Sequence, residues 1–192
     1  MTTSRLEAFS DGVLAIIITI MVLELKVPEE GTFEALKPLI PKMISYIISF
    51  IYVGIYWNNH HHLFQIIEKV NGRILWANLI LLFCLSLIPF PSAWMGENHF
   101  EQNTVAVYGV NLVLCALAFN FITISALNPE GKNSLFAKAY RIKTKEYIST
   151  ILYIIGIILS FFYPKVSLLL YFVVAAIWLI PDKRVEKTLF NK

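Results

Sequence analysis

A chain of 192 residues has room for one ordinary domain, yet 57% of this one is hydrophobic and only 15% is charged, against about 25% charged in a typical soluble protein. With 14 Phe, 9 Tyr and 4 Trp and a mean hydropathy of +0.66, that balance excludes a soluble globule, a disordered chain and a collagen, and describes a polytopic helical membrane protein. The formal net charge of +3 is too small to indicate a nucleic-acid partner, so the useful question is where along the chain the lysines and arginines fall.

Apolar runs between charged or Pro/Gly breaks predict an all-α membrane protein, a single domain over residues 1–192 with six transmembrane helices at about 5–25, 38–57, 74–90, 104–126, 147–163 and 165–180. The first run lacks a basic leader and a small-residue cleavage site, so it reads as a retained span and not as a signal peptide. Ser4 followed by Glu7 resembles a capping box that would start this helix near Arg5. Its inner end carries an ionisable Asp11 beside Ser10 and Gly12, and a charge near membrane depth needs a partner. Phe9, Ile16, Ile20 and Leu23 recur at steps of seven, four and three and form one apolar stripe. Asp11 lies five residues before Ile16 and points about 140° away from it, toward neighbouring helices, with Arg5, Ser10 and residues of the second or third segment as partners. Periodicity alone leaves the stripe facing lipid, other helices or a pore.

The second run ends in Trp57, Asn58, Asn59, His60, His61 and His62. Consecutive histidines on a helix point about 100° apart and have no Cys or carboxylate at i+3 or i+4, so no metal site is expected. Instead, one or two of them are expected to hydrogen-bond to the Arg5/Asp11 layer, with Asn78 of the third segment a further member. Pro89, Pro91, Pro164 and Pro181 sit where predicted helices end. Cys84 and Cys115 fall inside apolar runs and read as packing residues. The basic stretch 127–146 reads as an interfacial connection, and the last two spans, joined only near Pro164 and Lys165, as a tight hairpin supporting the other four.

With the N-terminus inside, twelve of the 16 lysines and arginines fall on the cytoplasmic side, and Lys26, Lys37, Lys42 and Lys165 fall outside. This places both termini in the cytoplasm, as an even span number requires. The outer loops hold Glu29, Glu30, Glu34, Glu97 and Glu101, which either attract cations or are simply solvated. No filter loop, nucleotide loop, nucleophile elbow, zinc-protease motif or Arg-rich voltage helix is present in the sequence. No nucleophile and base can be paired either, so no enzyme and no cofactor are expected.

Arg5 followed by Phe9-Ser10-Asp11-Gly12 at the head of an Ile-rich first helix resembles the signature of the transmembrane protein 175 family of potassium channels. The stretches WNNHHHLF and LWANLILLFCLSLIPFPS, the six-span count and the length are similar to its single-repeat prokaryotic form. The resemblance implies a homotetramer in the cell membrane, its central pore lined by the first helix, passing potassium with modest preference over sodium. It also implies a constriction at Ile16, further apolar rings at Ile20 and Leu23, a polar position at Thr19, and a network of Arg5, Phe9, Ser10, Asp11 and Gly12 near the cytoplasm, with His60, His61 and Asn78 beside it. The alternatives from the residues themselves are a proton-conducting or proton-coupled transporter using His60 to His62 and Asp11, and a membrane assembly protein without conduction.

Overall fold

The computed structural model describes residues 3–67, 70–130 and 144–179, and every regular element among them is helical. In chain order these are α1 (Thr3–Leu23), a short 3-10 turn (Glu34–Leu39), α2 (Ile40–Ile66), α3 (Gly72–Ser86), α4 (Pro89–Glu97), α5 (Gln102–Glu130), α6 (Thr144–Ser160) and α7 (Pro164–Leu179). Four stretches are long and apolar enough to cross a membrane: Thr3–Leu23, Glu34–Ile66, Gly72–Glu97 and Gln102–Leu127. Helix α7 is apolar but has only 16 residues, and α6 has 17.

Several boundaries differ from those the sequence suggested, each for a local reason. Helix α1 already includes Thr3 and Ser4, so Ser4 is not its cap. Helix α2 runs nine residues past the expected end at 57, because Leu63, Phe64 and Ile66 of its last turns are buried and hold the polar Trp57–His62 stretch helical. The third span does not stop at Pro89 and Pro91. Leu87 and Ile88 form a turn, Pro89 then opens α4, and the chain continues helical to Glu97. A proline at the first helical position loses no hydrogen bond, since its missing N–H would have had no partner. Pro164 likewise opens α7, and the α6–α7 turn is Phe161–Tyr163. Pro181 and most of the 127–146 connection lie outside the described residues.

Helix α1 packs on α2, α3 and α4, whereas α5, α6 and α7 form a second group behind α2 and α3. Tyr52, Tyr108, Tyr153 and Tyr171 fill the join between these groups, and all four are buried. Their hydroxyls are bonded inside the bundle, as lipid offers no water to satisfy them. The Tyr52 hydroxyl donates to the Tyr171 carbonyl, and Tyr153 donates to Tyr52 over 3.4 Å. Ser49 donates to Ser92 at 2.8 Å and meets Tyr108 at 3.0 Å, while Ser45 donates to the Ser92 carbonyl. The Tyr171 ring lies so close to Gly109 and Gly156 that a Cβ on either would overlap it. Beyond α4 the chain turns through His99 and Phe100 at φ of 51° and 63°, held by the bond from the Phe100 N–H to the Met95 carbonyl at 3.0 Å.

Candidate functional site

The two faces of α1 have opposite fates. Leu6, Ser10, Leu14, Ile17 and Met21, spaced by four and three, are buried against the neighbouring helices. Phe9 (54%), Ile16 (60%), Ile20 (44%) and Leu23 (72%) stay exposed on the protomer. Thr19 is exposed as well, its hydroxyl donating to the Ala15 carbonyl at 2.9 Å. That donation spends its proton and leaves the oxygen's lone pairs as acceptors. Gly12 is exposed within the same helix and has open space at its Cβ.

The polar N-terminal end of α1 resolves into separate contacts, not the single layer expected. Asp11 accepts from the Trp57 indole N–H of α2 at 3.0 Å. One turn earlier, Glu7 Oε1 lies 3.4 Å from His61 Nδ1. Glu7 and Asp11 are four residues apart on α1, and Trp57 and His61 are four apart on α2, so two antiparallel helices meet rung by rung. The Trp57 and His61 rings stack at 6.4 Å and 14°, and Gln65 Nε2 is 2.7 Å from His61 Nε2. With Gln65 donating there, the His61 proton sits on Nδ1 and faces Glu7.

The second contact is buried. Ser10 donates to the Leu6 carbonyl at 2.8 Å and accepts from Asn78 Nδ2 at 3.0 Å. Asn78 Oδ1 then lies 2.7 Å from His60 Nε2. An amide oxygen only accepts, so His60 carries its proton on Nε2 and the chain runs from His60 through Asn78 and Ser10 to Leu6. All three side chains are at most 3% exposed.

Of the residues singled out in the sequence, the structure thus joins Ser10, Asn78 and His60, and separately Asp11 with Trp57 and His61 with Glu7. Ser10 and Arg5 are not partners of Asp11. Arg5 is exposed and makes no hydrogen bond or ion pair among the described residues. Phe9 shares the exposed stripe and takes no part in these polar contacts. His62 Nδ1 is buried without a partner among the described residues, and no His, Cys, Asp and Glu groups there converge to hold a metal. Sequence reasoning overlooked Glu7 and Gln65; the matched i, i+4 pairs on α1 and α2 were the signal that points to the first. At the opposite end of the bundle, Lys42 and Glu97 pair at 2.9 Å, which ties α2 to α4 and neutralises the Glu97 carboxylate.

Residues 5–89 match the family model described as endosomal/lysosomal potassium channel TMEM175. A potassium channel of Chryseobacterium sp. (strain P1-3) is 60% identical over 189 residues, covering 98% of each chain. A potassium channel of Chamaesiphon minutus is 32% identical over 185 residues, covering 90% of this chain and 91% of its own. The crystal structure of a lysosomal potassium-selective channel TMEM175 homolog from Chamaesiphon minutus superposes with a TM-score of 0.78 at 30% identity, covering 92% of this chain and 95% of that one. The proton channel TMEM175 of Rattus norvegicus is 28% identical over 142 residues, which are 67% of this chain and 28% of that protein.

Proposed function

This chain belongs to the TMEM175 family of potassium channels, and on that premise we propose that four copies surround a central potassium-permeable pore lined by α1. The carrying observation is that Ile16, Ile20 and Leu23 stay exposed on a helix whose other side is buried and pinned by Ser10 and Asp11. Four copies turn each of these positions into a ring. Ile16 forms the constriction, and Ile20 and Leu23 form rings about 6 and 10 Å farther out along the helix.

An isoleucine ring offers no oxygen to replace ion hydration, so passage is governed by width and wetting. Potassium sheds water more readily than sodium, and a narrow apolar ring therefore penalises sodium more. Thr19 oxygens one turn away accept toward a partly dehydrated ion, because their protons are already given to Ala15. The resulting preference is modest. The protein is a multi-pass membrane channel; the twelve-to-four division of lysines and arginines supports both termini in the cytoplasm and placement in the cell membrane.

The reversal potential of the purified protein in a planar bilayer, under potassium against sodium, tests this reading. The parent gives a potassium-shifted reversal, and Ile16→Asn moves it toward zero by wetting the ring. An Ile16→Asn channel that folds and keeps the parent's permeability ratio refutes the constriction.

Proton permeation is a second reading, favoured by the bonded His60–Asn78–Ser10 chain beside α1 and by the proton-channel name of the mammalian relative. It predicts acid-driven flux into potassium-free proteoliposomes that His60→Phe abolishes.

A further inference from the structure

The exposed face of α1 has two edges, and each borders a different apolar surface of the same chain. Asp11 and Ile20 are nine residues apart, about 900° of helical turn, so they lie on opposite sides of α1. At one edge Asp11 bonds to Trp57 of α2. Trp57 is itself half exposed and continues a face on which Ile40, Met43, Ile47 and Phe50 are exposed too. At the other edge Ile20 shares a groove with Phe90 of α4, and Phe90 continues an exposed face made by Trp76, Ile80, Phe83 and Leu87. Helices α5, α6 and α7 belong to the group behind α2 and α3.

A closed ring of more than two copies joins unlike surfaces: one flank of each copy meets the opposite flank of the next, and every residue keeps its level along the ring axis. With α1 at the centre, the α2 face of one copy is then set against the α3–α4 face of its neighbour. Contacts inside one chain supply the matching levels. Lys42 pairs with Glu97 at 2.9 Å, Ser49 donates to Ser92 at 2.8 Å, and His60 meets Asn78 at 2.7 Å. The two segments therefore run antiparallel, and the point midway between Ser49 and His60 is level with the point midway between Ser92 and Asn78. The first point falls at Gly54, the second within the turn from Phe83 to Leu87. A Cβ on Gly54 would meet nothing within 4 Å, so this position is a hollow in an otherwise bulky face. Phe83, at the matching level, is 63% exposed.

We propose that α2 of one copy packs against α3 and α4 of the next, with Gly54 forming the hollow that receives the Phe83–Leu87 turn. The inference rests on the fourfold reading above and assigns the surface by which that ring closes. A glycine weakens a helix interior, and close approach of a neighbouring helix is what offsets that cost in a membrane.

Two measurements on the purified full chain test the interface. Gly54→Leu adds a side chain that its own chain has room for, so helix content by circular dichroism should hold while the four-copy species in native mass spectrometry falls about tenfold. Adding Phe83→Ala to Gly54→Leu should restore most of that loss. In a chain whose buried Cys84 and Cys115 are replaced by Ala, Gly54→Cys is then combined with Phe83→Cys or Leu87→Cys and treated with a short bis-methanethiosulfonate. Bridged species of two, three and four copies are expected from a pair, and none from Gly54→Cys alone or from Gly54→Cys with Leu117→Cys on α5. Should the cysteine-free chain not fold, the loss and rescue carry the comparison; should Gly54→Leu not fold, the bridging does. Undiminished four-copy species in Gly54→Leu overturns the proposal, as does bridging by Gly54→Cys alone, which marks a contact between like surfaces. Four copies in which neither pair bridges also overturn it and leave lipid against α2. A parent chain that runs as a single copy overturns the fourfold reading itself.

Discussion

Replacing Asn78 by Leu removes the bridge between α2 and α1 while keeping the residue's size. His60 loses the acceptor 2.7 Å away and Ser10 loses a donor at 3.0 Å. Ser10 still donates to Leu6, so its loss is close to that of an ordinary membrane-depth hydrogen bond, about 0.6 kcal/mol. His60 is 3% exposed and is left with a buried N–H that bonds to nothing, at about 1–3 kcal/mol. The sum is about 2–4 kcal/mol, large against a total stability of about 5–15 kcal/mol. The assay is reversible unfolding of the purified protein by detergent titration, run as a double-mutant cycle with His60→Leu. Removing both partners replaces a broken polar pair by an apolar one, so the double variant should be less destabilised than the two single variants added together. Asn78→Leu as stable as the parent, or strictly additive effects, would refute the view that this buried chain fastens the N-terminal end of α1.

Trp57→Phe keeps the ring over His61 but deletes the N–H that reaches Asp11; a loss of about 1–2 kcal/mol is expected in the same titration, with Asp11→Asn adding little on top. Gly156→Leu drives a side chain into the Tyr171 ring, and overpacking there should cost about 1–3 kcal/mol and appear as a lower thermal midpoint with the α6–α7 pair sensitised to protease. Lys42→Ala removes an ion pair whose carboxylate is about half exposed, so the expected change is below about 1 kcal/mol and vanishes in high salt.

The helical, membrane-spanning character was legible because long apolar runs have one physical outcome in lipid, where backbone groups must bond within their own segment. Helix ends were less legible. Polar residues at 57–62 read as an exit from the membrane, but burial of Leu63, Phe64 and Ile66 keeps α2 intact through them. Pro89 read as a stop because one residue does not reveal whether a proline ends one helix or begins the next. At the candidate site, the wheel separated Asp11 from Ile16 without naming the partner of Asp11. That partner is Trp57, whose indole N–H reads in a sequence as an interfacial aromatic rather than as a donor to a carboxylate. The aromatic pocket between α2, α5, α6 and α7 was invisible for a different reason, since its walls are spread along the chain from Tyr52 to Trp178 and no local pattern brings them together.

The distribution of polar contacts along α1 makes the helix a lever. Its side-chain hydrogen bonds and ion pairs to other helices, among the described residues, are made by Glu7, Ser10 and Asp11; from Gly12 to Leu23 it is held by apolar contact through Leu14, Ile17 and Met21. Apolar surfaces slide at small cost, whereas the N-terminal end is pinned, so the natural fulcrum lies near Asp11. Ile16 is about 7.5 Å from that point along the axis and Leu23 about 18 Å. A tilt of about 5° therefore shifts Ile16 by roughly 0.7 Å and Leu23 by roughly 1.6 Å. In the fourfold ring proposed above, each displacement would count twice across the diameter. On that proposal the aperture at Leu23 would respond more than twice as strongly as that at Ile16, and the two apolar rings would be mechanically unequal even though their chemistry is the same.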